Sequence, residues 1–209
     1  MRPPARPLPP ADLVEHLFGV RIRPAPEVEE WARATFLAEG GDLHNPEHQH
    51  LLDADVRFMW ASDGYLKQGR RIVGLTEKLQ IMASPWAKAR QEQQLCEWFG
   101  HVPEFLITLD ALHCAQCDDL EFCALVEHEL YHVGHQKDEF GAPAFTKEGK
   151  PRLGIRGHDV EEFVGVVSRY GVGSVDGNLA QMILAAAKGP TVAPIRIAQA
   201  CGTCQLRAA

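Results

Sequence analysis

The chain has 209 residues, of which 45% are hydrophobic, and a formal net charge of −7. That length fits one large domain or one domain with an extension, and the apolar share is enough for a real core. An acidic balance with no dense basic block weighs against nucleic-acid binding as the main task, and no run approaches the eighteen apolar residues of a membrane span.

Residues 1–12 are rich in proline and carry arginine but no apolar stretch, so a disordered tail is expected rather than a secretory signal. A reducing cytoplasm is then the expected compartment, where cysteines serve as thiols or metal ligands. Residues 13–190 read as a single domain and 191–209 as a C-terminal tail holding a C-x-x-C pair. Asp12 to Phe18 suggests a short helix. Glu27 to Glu39 suggests a longer one, with Trp31, Ala34 and Phe36 apolar and Gly40-Gly41 ending it. His44, His48 and His50 follow in a polar segment broken by Pro46, which reads as solvated loop or helix start.

Val56, Phe58 and Trp60 alternate with Arg57 and Met59, predicting a strand over Asp55 to Ala61. Arg71 to Leu75 reads as its hairpin partner across the turn signals Asp63-Gly64 and Gln68-Gly69. Trp86 to Phe99 is helical in character. Glu104 to Asp110 is a further strand, expected at the sheet edge where an extended peptide could add by main-chain hydrogen bonds.

The next helix carries the most specific signal in the chain. Asp118 with Glu121 forms a capping-box pattern, an apolar run from Leu120 to Val126 follows, and then His128-Glu129-Leu130-Tyr131-His132 spells H-E-x-x-H. Imidazoles four apart lie about 40° apart around the axis and roughly 6 Å along it, so both can bind one Zn²⁺. Glu129, one position round, is the candidate base for an activated water. Gly134 reads as the residue that ends the helix.

A catalytic zinc uses three protein ligands. His158 ranks first for the third place, just ahead of a helix expected from Asp159 to Tyr170. Glu161 or Glu162 on that helix is the alternative, and His135 ranks last. Asp159 with Glu162 resembles a second capping box, and Asp159 could also brace a ligand histidine. Phe140 to Leu153 reads as loop or hairpin with a turn at 147–150, and Leu179 to Lys188 as a final helix. The order of elements predicts an α+β domain with a small mixed sheet packed against the motif helix and a second, ligand-bearing helix.

These segments carry a resemblance. HELYHVGH, then a hairpin-like insertion, then RGHDVEEFVGVVSRYG, is similar to the phage metallopeptidase family of bacteriophages and prophages; NPEHQHLLDADVRFMW and RIVGLTEK are similar to it as well. It spans roughly residues 42–172. It implies a zincin-like fold, zinc as cofactor, a peptide or protein substrate, His128 and His132 as ligands, Glu129 as base and His158 as third ligand. A broader similarity links the chain to SprT-like proteases, whose third-histidine spacing it lacks.

The expected activity is peptide-bond hydrolysis, with Tyr170, His135 and Arg156 as candidates to steady the oxyanion. The alternative is a non-catalytic, metal-stabilised protein-binding module. Two C-x-x-C pairs, Cys114/Cys117 and Cys201/Cys204, could hold a second, structural zinc; ordinary thiols are the competing reading, and Cys96 and Cys123 read as core. Oligomeric state is not legible in the chain.

Overall fold

A computed structural model describes residues 5–67, 69–160, 167, 171–172, 177–194 and 206–207. The architecture is α+β. Its main sheet has the order β1 (Ile22–Pro24), β2 (Val56–Ala61), β6 (Phe105–Asp110), β5 (Gly74–Lys78). β2 and β6 run parallel and the outer pairings are antiparallel, so the sheet is mixed. A parallel pair needs a long crossover, and helix α3 (Pro85–Phe99) lies in the connection.

Strand periodicity sorts the core. Val56, Phe58 and Trp60 on β2 and Phe105, Ile107 and Leu109 on β6 alternate onto one face. That face meets Phe122, Leu125 and Val126 of helix α5 (Asp119–Tyr131). Phe36 and Val28 close the same cluster from α2 (Pro26–Ala32) and the π-helical turn Arg33–Leu37 that continues it.

Two expectations about the sheet need correction. Asp55 to Ala61 is not half of a hairpin with Arg71 to Leu75. The hairpin is the small one between β3 (Tyr65–Lys67) and β4 (Arg70–Ile72), and β5 begins separately at Gly74. Turn signals favour the nearest partner, but β2 is buried along nearly its whole length and takes an interior place instead. The strand expected at the edge, β6, is also interior, flanked by β2 and β5. Its run FLITLD is buried on both faces, which suits a central strand; β1 and β5 are the edges among the described strands of this sheet.

The motif helix has the start its sequence predicts. Asp118 Oδ1 accepts from the Glu121 amide and Glu121 Oε2 accepts from the Asp118 amide. Its other end differs. The helix stops at Tyr131 and the chain enters β7 (Val133–His135) directly, pairing with β8 (Leu153–Ile155). Gly134 is therefore a strand residue. A Cβ there would lie 2.8 Å from Arg156 Cβ, so its role is close approach rather than helix termination. The helix expected from Asp159 lies almost wholly outside the described residues; the final one runs Asn178–Lys188, here α6.

Arg6, within the proline-rich stretch, is anchored. Its side chain is 6% exposed. The guanidinium donates to the carbonyls of Cys114 and Cys117 at the end of α4 (Ala111–Gln116) and to Asp119 Oδ1 at the start of α5, and it lies over the Phe122 ring. One cation thus ties a helix C-terminus to the next N-terminus. Arg6→Ala should lower the unfolding free energy by about 1–3 kcal/mol in urea denaturation, as expected for losing charge-assisted bonds at a buried site. A change smaller than about 0.5 kcal/mol would show the anchor to be idle.

Candidate metal centre

Helix α5 delivers His128 and His132 from its last turn and C-cap, and the loop after β8 delivers His158. His128 Nε2 lies 3.1 Å from His132 Nε2 and 3.2 Å from His158 Nε2. The three ligand atoms fall within 4.8 Å of one another, and all three residues are partly buried. Nitrogens about 2.05 Å from a tetrahedral ion sit roughly 3.3 Å apart, close to the two short separations.

The rings are held in a usable state. His132 Nδ1–H donates to the Arg156 carbonyl at 2.7 Å, so in the neutral ring Nε2 is a bare lone pair facing the other histidines. Burial, reinforced by the neighbouring histidines, pushes the His128 pKa down to about 4. Burial lowers His132 as well. Neutral imidazoles converging by Nε2 make a nitrogen donor set that fits zinc or a similar first-row divalent ion. Asp159, expected as a brace for a ligand histidine, instead accepts from Arg156 Nη2 at 2.6 Å.

The structure does not bring every candidate to this point. His135 Nε2 faces the Ala144 carbonyl at 2.8 Å, inside the insertion. Glu161, Glu162, Tyr170, Cys201 and Cys204 lie outside the described residues. Cys114, Cys117 and Cys123 are buried free thiols, whereas Cys96, expected in the core, is exposed on α3. Among the described residues, His128, His132 and His158 form the metal-competent cluster.

Glu129 is fully buried. Its carboxylate faces β5, where Thr76 Oγ1 lies 2.7 Å from Oε2 and 2.9 Å from the Glu129 carbonyl. Oε1 has no hydrogen-bond partner among the described residues and rests against Gly74, where a Cβ would come within 2.7 Å of it. Burial pushes the Glu129 pKa up to about 7, against the pull of Thr76. Sequence reasoning missed Thr76 and Gly74. The available signal was their i, i+2 spacing, which puts two small side chains on one strand face beneath a helix.

A cavity of about 400 Å³ opens at the histidines, lined by Glu47, Tyr131, Arg156, Asp159, Val160 and Met182 among others. Glu129 is not part of this wall, so in this arrangement its carboxylate is turned away from the place the motif alone would give it. Tyr131 is clamped at the cavity. Its hydroxyl donates to Glu47 Oε2 and accepts from Asn45 Nδ2, each at 2.9 Å. The ring of His48 packs on it at 4.5 Å, fully buried, with neither ring nitrogen hydrogen-bonded among the described residues and Nε2 3.6 Å from Glu127 Oε1. Of the three histidines read as solvated loop or helix start, His48 and His50 lie on the 3₁₀-helix Pro46–Leu51 and only His44 is exposed; His50 Nε2 faces the Val133 carbonyl at 2.7 Å.

The family model described as "Putative phage metallopeptidase" matches residues 29–187. No curated protein and no solved structure matches the chain.

Burying the Glu129 carboxyl, whose Oε1 has no hydrogen-bond partner among the described residues, has a measurable cost. The Glu129 carboxyl titrates near 7 when folded against an ordinary value of 4.5. The unfolded chain therefore ionises first as pH rises, and native stability falls between about 4.5 and 7. In chelator, Glu129→Gln should be more stable than the parent by about 2–3 kcal/mol at pH 8 and nearly equal to it at pH 4.5. Urea denaturation at the two pH values checks this, and a gap independent of pH would refute it.

Proposed function

Because the chain belongs to the phage metallopeptidase family, we propose that it is a zinc-dependent endopeptidase acting on peptide or protein substrates. The observation that carries this reading is the convergence of His128, His132 and His158 by Nε2, with a buried glutamate one residue from the first ligand. A bound divalent ion would supply Lewis acidity toward a carbonyl oxygen and an activated water. The three histidines would hold it, and the Arg156 carbonyl would fix the tautomer of His132.

Glu129 takes the role of general base. A carboxyl with a pKa near 7 both accepts and returns a proton at neutral pH. Oε1, which lacks a protein partner among the described residues, is the proton acceptor in this reading. The carboxylate turns from the Gly74 face toward the cavity to use it. Thr76 holds the other oxygen and limits the rotation. A metal site serving structure alone has no use for a buried acid at this position, which weighs against the non-catalytic binding module.

Peptide placement follows from the sheet. β5 is the edge beside the motif helix, and the Thr76 hydroxyl joins the two. An extended substrate segment would lie along that side of the molecule, with side chains entering the cavity past Met182 and Val160.

Alanine at His128, His132 or His158 should each reduce bound zinc from one ion per chain to below about a tenth, by elemental mass spectrometry after dialysis. Glu129→Gln should keep its zinc and lose hydrolysis of a quenched-fluorescent peptide library by about 10³-fold or more. Zinc retained in all three histidine variants removes the metal assignment. Full turnover by the glutamine variant removes the mechanism.

A further inference from the structure

Hydrolysis needs a group to meet the negative charge that develops on the scissile carbonyl oxygen. Among the described residues, the chemistry of the cavity wall narrows the choice. The Tyr131 hydroxyl proton is committed to Glu47 and its lone pair to Asn45. His135 points into the insertion. Arg156 lines the cavity with the three histidines and behaves differently.

Its position is tied to the ligand set by main-chain bonds. The Arg156 amide donates to the His132 carbonyl at 2.8 Å, and the Arg156 carbonyl accepts from His132 Nδ1 at 2.7 Å. Beneath its side chain, position 134 admits no Cβ without displacing the Arg156 Cβ. The guanidinium is then set by two partners. Nη2 donates to Asp159 Oδ1 at 2.6 Å, and the cation lies 5.8 Å from the centre of the Tyr131 ring. These contacts leave Nε–H and Nη1 donors without a protein acceptor among the described residues. The side chain is 45% exposed, so a ligand entering the cavity can reach them.

We propose that Arg156 binds the carbonyl oxygen of the peptide bond being cleaved and donates hydrogen bonds to it as the oxyanion forms. The inference rests on the peptidase reading and adds a catalytic residue to it. Asp159 and the Tyr131 ring are positioning groups that orient the fork. No covalent step at the arginine is involved. The guanidinium keeps its protons and acts by charge and geometry.

The test uses the zinc-loaded full chain and its Arg156→Ala and Arg156→Lys variants. Because the bonds to His132 are main-chain, truncation should leave zinc content and the thermal midpoint unchanged. The expected result for Arg156→Ala is a 10²- to 10³-fold loss of kcat with KM changed less than about threefold, whether or not the peptide carries acidic residues. Added guanidinium ion should restore part of that rate, and Arg156→Lys should fall between parent and alanine. A phosphinic pseudopeptide with flanking Phe and Leu, which mimics the tetrahedral oxyanion, should bind Arg156→Ala more weakly by a factor close to the loss in kcat/KM, by calorimetry. The cleaved peptide product should bind parent and variant alike.

Unchanged kcat in Arg156→Ala overturns the assignment while leaving the peptidase reading intact. A loss confined to KM for peptides with acidic side chains also overturns it, making Arg156 a specificity contact. A parent protein that cleaves no member of the peptide library while holding zinc overturns the underlying reading, and the inference with it.

Discussion

Thr76 holds a buried carboxylate against the sheet: one hydroxyl lies within hydrogen-bond distance of both the Glu129 side chain and the Glu129 carbonyl. It has a single proton to give, so it serves one acceptor at a time. The rest of the site depends on this join. It sets the rotation of α5 relative to β5, and that rotation decides which way the imidazoles one residue before and three after Glu129 point. Gly74 makes the join feasible, since any side chain there would occupy the space of Oε1. The burial that makes the carboxylate costly is the same burial that lifts its pKa toward neutrality.

Around this join the molecule uses main-chain groups to fix side chains. The Arg156 carbonyl sets the His132 tautomer, and the Val133 carbonyl holds His50. Arg6 reads the carbonyls at the end of α4. Carbonyls at element ends lack intrahelical or ladder partners, so satisfying them and positioning a side chain become one event. The motif helix is bounded at both ends in this way: a capping box and Arg6 at its start, and a direct passage into β7 at its finish.

Much of this was legible because it is local. The capping box of Asp118 and Glu121 and the helix Pro85–Phe99 follow from spacing alone. His158, ranked first for the third place, is brought beside His128, with the two Nε2 atoms 3.2 Å apart. Non-local pairings were not legible. Nothing in Asp55 to Ala61 names β6 as its parallel neighbour. The turn signals at Asp63-Gly64 instead belong to a corner where Arg71 bridges Asp63 and Asp110. His48 looked solvated because its neighbours are polar, yet it is covered by Tyr131 from another element. Thr76 and Gly74 matter through what α5 places above them, and that is settled by packing.

The arrangement of the insertion has one more effect. His132 ends the helix, the chain then runs out through β7, across two turns and back through β8, and His158 returns beside its starting point. A cation gripping both ends would close that excursion in the native state, and because the site is lost on unfolding its binding free energy would add to the stability of the folded loop. Chelation should accordingly loosen the excursion before it melts the sheet, so the amides of β7 and β8 become the first reporters of metal loss.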